Sequence, residues 1–63
     1  MKGVVTYFSR EKGFGFIKEA RTQFSYFFNH TNMLDLSLVQ GDIVTFEEGV
    51  NKKGRCAIKV KII

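Results

Sequence analysis

Cysteine and histidine are almost missing from this 63-residue chain, at one each. A lone Cys56 leaves no internal disulfide and no cysteine-built zinc site. With His30 as the only imidazole, most metal clusters and nucleophilic triads are excluded too. No apolar run approaches the ~20 residues of a membrane-spanning helix, and Met1-Lys2-Gly3-Val4 does not open a signal peptide, so a cytoplasmic protein is expected. Sustained 3.6-residue periodicity and internal repeats are also lacking. No phosphate-cradling glycine loop precedes a helix, because Gly13-Phe14-Gly15 stands in a strand context. These gaps argue against an enzyme and against any cofactor. Acidic residues are in short supply as well: six Asp+Glu against ten Lys+Arg leave +4. Such an excess in so short a chain favours polyanionic partners.

What remains reads as strands in a single domain, residues 1–63. A domain of this size buries only about 60% of its unfolded surface, which leaves no room for a deep cleft. A hydrophobic content of 44% is nevertheless that of a folded domain. Residues 3–8 are rich in β-formers and stop at the polar turn Ser9-Arg10-Glu11-Lys12-Gly13. Residues 14–19 and 24–29 form the second and third strands, joined by the short connection 20–23. His30-Thr31-Asn32 then breaks the pattern as one helical turn, and 34–41 is a loop ending in glycine. The fourth strand, 42–48, turns Val44 and Phe46 inward. Residues 49–54 read as a basic hairpin loop. The fifth strand, 55–62, sets Cys56, Ile58, Val60 and Ile62 against Arg55, Ala57, Lys59 and Lys61. Five short strands must hide their edges, and closure does so; the expected fold is an all-β, five-stranded antiparallel barrel.

Aromatic residues exceed what such a barrel can hold. Alternation assigns Val5, Ile17, Tyr26, Phe28, Val44, Phe46, Ile58, Val60 and Ile62 to the interior, which is only just wide enough for side chains. Phe14 and Phe16 share the opposite face of their strand, with only Gly15 between them, and Phe27 lies on the outer face of the next. The reverse assignment would expose Ile17, the strand's only aliphatic residue. Exposed rings beside Lys12, Lys18 and Lys53 suit unpaired bases, which stack on flat aromatic faces while lysines reach phosphates.

The segments Lys12-Gly13-Phe14-Gly15-Phe16-Ile17 and Tyr26-Phe27-Phe28-Asn29-His30-Thr31 resemble the paired ribonucleoprotein motifs of the bacterial cold-shock proteins. Tyr7-Phe8-Ser9-Arg10-Glu11-Lys12 is similar to their lead-in Trp-Phe-Asn-x-x-Lys. Val44-Thr45-Phe46-Glu47 and residues 54–60 fit the last two strands. The resemblance implies an OB-fold barrel that binds single-stranded RNA and single-stranded DNA and acts as an RNA chaperone. It also implies stacking roles for Tyr7, Phe8, Phe14, Phe16 and Phe27, with Lys12 as a backbone contact and Lys53 as a basic residue of the last loop. Phe8 has a partly core alternative. Asn29 stands where the family carries histidine, and can hydrogen-bond a base edge. His30 stands where an aromatic follows, and can stack. Tyr7 replaces a tryptophan, Thr6 stands where lysine is common, and the loop aromatic has no counterpart beyond Leu34 or Leu36.

Two functions stay in view. The first is a single-strand nucleic-acid binder; the second is a small barrel that docks protein or the ribosome, resembling translation initiation factor one. A monomer is expected, with a strand-swapped dimer as the alternative. Cys56 is expected to be a buried small hydrophobe facing the barrel.

Overall fold

The computed structural model describes residues 1–52 and 54–63. Five strands, β1 (Lys2–Ser9), β2 (Phe14–Glu19), β3 (Ser25–Asn29), β4 (Ile43–Asn51) and β5 (Gly54–Ile62), close into a barrel in the order β1-β2-β3-β5-β4. A single 3-10 turn, His30–Asn32, follows β3. The pairings are antiparallel except β3–β5, which closes the barrel in parallel through Phe27 and Cys56. Among the described residues no helix is long and apolar enough to cross a membrane.

The interior is packed with Val5, Ile17, Tyr26, Phe28, Val44, Phe46 and Val60, as alternation requires, with Ile62 partly buried against them. Phe28 and Ile17 have no exposed surface. Burying each such side chain contributes roughly 1.5–3 kcal/mol. Met33 and Leu38 from the segment after β3 complete the core. That segment is held from several sides. Met33 bridges Val60, and the Leu34 amide donates to the Val60 carbonyl at 2.7 Å. The Arg10 guanidinium donates to the Leu36 and Leu38 carbonyls at 2.8 and 3.1 Å.

Two bulges decide which residues face out. In β1, Val5 pairs with Ile17 but Tyr7 pairs with Phe16, so Thr6 is an extra residue. The insertion resets the alternation, turning Tyr7 outward and Phe8 toward the core. In β5, Lys61 opposes Thr45 while Ile58 opposes Glu47, so β5 carries one residue more than β4 there. Lys59 absorbs it with a left-handed backbone, φ 52°. The expected interior of β5 is corrected accordingly: Ala57 is fully buried in the core and Ile58 only half-buried. Cys56 is buried but lies outside the core cluster. The expected loop 49–54 is also shorter, because β4 and β5 stay paired as far as Asn51 and Gly54.

Gly15 is required by a close approach. A Cβ there would sit 2.7 Å from the Phe28 ring and against the Tyr7 carbonyl oxygen. The strand therefore lies directly on the core ring beneath it.

Glu19 is the one buried charged residue among those described, at 4% exposure. Its carboxylate accepts from the Arg21 amide at 3.0 Å and from the Thr22 amide and hydroxyl at 3.1 and 2.7 Å. These bonds tie down the β2–β3 turn. They hold the carboxyl below its ordinary value, the Arg21 amide contributing most.

Candidate nucleic-acid interface

Neighbouring strands bring four rings to one outer face of the barrel. β1 contributes Tyr7 through the Thr6 bulge, β2 contributes Phe14 and Phe16, and β3 contributes Phe27. Phe14 stacks on Phe27 with centroids 5.7 Å apart and planes at 26°. Phe16 meets Phe14 edge-on at 6.0 Å and 89°, and Phe27 at 5.9 Å and 71°. The Tyr7 ring lies 5.9 Å from Phe14 and 6.4 Å from Phe16. Offset and edge-to-face arrangements at these separations are the favourable ones for aromatic rings. Tyr7 and Phe16 remain 38% and 36% exposed, so the cluster is an open apolar surface rather than a second core.

The other expected residues are placed differently. Phe8 lies on the core side of β1, stacked on Phe28 at 5.7 Å and 17°, with the Arg10 guanidinium 5.6 Å over its ring. It is only partly buried and faces the groove described next, and the four-ring cluster does not include it. His30 lines a separate groove with Phe8, Arg10, Met33 and Leu36. Its backbone amide donates to the Gly13 carbonyl at 2.8 Å, and Nδ1 lies 3.1 Å from the same oxygen. That contact assigns the proton to Nδ1 and leaves Nε2 as the acceptor in the neutral ring. Leu36, not Leu34, stands beside this groove.

Asn29 pairs with Phe14 across β2–β3 and caps the 3-10 turn, its Oδ1 accepting from the Thr31 amide at 3.1 Å. Lys12 is exposed in the β1–β2 turn, where its amide donates to Ser9 Oγ at 3.1 Å. Lys18 is exposed on β2, two residues beyond Phe16 on the same face. Lys53 lies outside the described residues.

Two residues that sequence reasoning left out stand at the cluster. Asn51 and Arg55, from the facing ends of β4 and β5, line one concavity of about 440 Å³ with Phe14, Phe16 and Phe27. The parallel closure of β3 on β5 places them there, and no local pattern announces a contact between strands so far apart in the chain. Arg55 Nε lies 3.3 Å from the Glu48 carboxylate, and its guanidinium carbon lies 6.0 Å from the centre of the Phe24 ring. Neither acidic residue of β4 is isolated, because Glu47 lies 3.8 Å from Lys59.

The family model of the "Cold-shock" DNA-binding domain matches residues 1–63. Among solved structures the chain is similar to Drosophila Unr CSD456, with a TM-score of 0.79 and 28% identity over 98% of its length. It spans only 26% of that longer chain. No curated protein matches it.

Proposed function

The chain belongs to the cold-shock DNA-binding domain family, and we propose that it binds single-stranded RNA or DNA by stacking unpaired bases on Tyr7, Phe14, Phe16 and Phe27. One observation carries this reading: Phe14, Phe16 and Phe27 pack on one another, with Tyr7 against the first two, outside a barrel whose interior its own side chains already fill. Every base has a π face, so such a surface accepts either sugar and tolerates sequence. Each stacked base contributes about 1–3 kcal/mol, and three would account for much of the ~8 kcal/mol of a micromolar complex. Lys12 and Lys18, exposed at the margins, reach phosphates. No covalent chemistry is involved. Bases held on the rings are unavailable for pairing, and weak reversible binding of this kind lets the protein act as an RNA chaperone.

The test is fluorescence anisotropy of a labelled short oligo-T and of its duplex, at two salt concentrations, with the wild type and the Phe14→Ala/Phe27→Ala double variant. The expected result is preference for the single strand, lost in the double variant. The logarithm of affinity should fall against that of salt with a slope near −0.7 per phosphate neutralised. Equal binding of single strand and duplex, untouched by the substitutions, would overturn stacking. An aromatic patch that docks protein would leave oligo-T unbound.

A further inference from the structure

Arg55 is the one cation among the described residues that shares a concavity with Phe14, Phe16 and Phe27. Three neighbours define its position. Glu48 faces Nε at 3.3 Å, the Phe24 ring lies 6.0 Å from the guanidinium carbon, and Phe27 stands on the adjoining strand. A guanidinium tethered through Nε still carries donors on both terminal nitrogens, in one rigid plane and with no acceptor among them. Glu48 offsets its charge locally, so attraction to phosphate is not its strongest contribution. Directional donation beside a stacking surface is.

Resting on the stacking reading above, we propose that Arg55 reads the base stacked at Phe27 and favours guanine over adenine there. The two purines offer the rings similar area, and their edges differ. Guanine presents two adjacent acceptors, O6 and N7, which match a donor-only fork; adenine sets an amino donor beside N7, which opposes it. Glu48 is a positioning residue that holds the fork in plane. Asn51, on the same concavity, is already engaged within the protein. Phe24 is 55% exposed and backs the guanidinium from the β2–β3 connection. The protein thus adds one selective position to a surface that otherwise accepts any base.

The experiment compares labelled oligo-T carrying one central guanine with the same strand carrying one central adenine, using wild type, Arg55→Lys and Glu48→Gln. Wild type is expected to bind the guanine strand about tenfold more tightly, the effect of one good bidentate base contact. Arg55→Lys keeps the charge and loses the fork. It should bring the ratio close to one, and because the ratio is taken within one variant, any change in plain oligo-T affinity cancels. Glu48→Gln should lower the ratio while plain oligo-T binding tightens somewhat, because the guanidinium charge is no longer offset. A wild-type ratio near one, or a ratio that survives Arg55→Lys, overturns the assignment. Failure of the stacking reading looks different: plain oligo-T itself would go unbound, or would bind regardless of Phe14→Ala/Phe27→Ala. Arg55 is largely exposed, at 63% of its side chain, so these variants should fold.

Discussion

Phe14 stacks on Phe27 across a diagonal, for the register partner of Phe27 is Phe16 and that of Phe14 is Asn29. Each ring therefore limits the other's tilt, and Phe16 closes the triangle edge-on to both. The surface offered to a base is a property of the set rather than of any single ring.

A double-mutant cycle on Phe14→Ala and Phe27→Ala should accordingly be non-additive for oligo-T binding. The coupling should be about 0.5–1.5 kcal/mol, the range of a direct aromatic pair. Titrations of both single variants and the double variant measure it. Strict additivity would mean that the rings contact bases independently.

Phe8 and Phe16 should separate stability from binding. Phe16→Ala removes a ring that is 36% exposed, so affinity for oligo-T should fall tenfold or so while the urea midpoint drops less than in Phe8→Ala. Phe8→Ala removes a ring packed on Phe28 and should cost about 2 kcal/mol or more of stability. That is a large share of the roughly 3–9 kcal/mol available to a domain this small. Urea unfolding of both variants, followed by titration at a temperature where each is folded, gives the two columns.

Gly15→Ala should destabilise the barrel by at least about 1–3 kcal/mol, since an added Cβ meets the Phe28 ring and a main-chain oxygen that cannot swing away. Thermal melts should show a drop of several degrees or no folded protein. An unchanged melting temperature would mean that β2 lifts from the core without penalty.

Glu19 should give the fold an acid-sensitive component. Its folded pKa lies below the ordinary 4.5, chiefly through the Arg21 amide and then Thr22. A depressed carboxyl contributes stability that is fully present above the unfolded pKa and is lost as pH falls through the folded one. Urea midpoints of wild type and Glu19→Gln should differ at pH 7, wild type being the more stable, and converge in acid. A gap that persists in strong acid would assign the effect to packing instead of charge.

Much of this was legible beforehand because strand faces alternate and turns are polar. Val44 and Phe46 declared the interior face of β4 by spacing alone, and Gly15 between two phenylalanines declared a strand whose aromatic face was not its core face. Tyr7 and Phe8 show where such reading stops. Both are aromatic and adjacent, and only the Thr6 bulge decides that the first joins the surface cluster and the second the core. Ala57 and Ile58 exchange their expected places for the same kind of reason, a left-handed Lys59 that no propensity favours. Met33 and Leu38 were hidden in a segment without periodicity, where burial depends on what the carbonyls of Val60, Leu36 and Leu38 accept.

By itself the order of residues determined an all-β chain, a surplus of aromatic side chains, and the family to which both belong, because hydrophobic period and motif spacing are local properties. Only the tertiary structure decided which rings touch, which of them the core claims, and that Arg55 stands beside Phe27. Those depend on strand registers and on a parallel closure between β3 and β5, and register is settled by packing across the whole barrel rather than by any one segment.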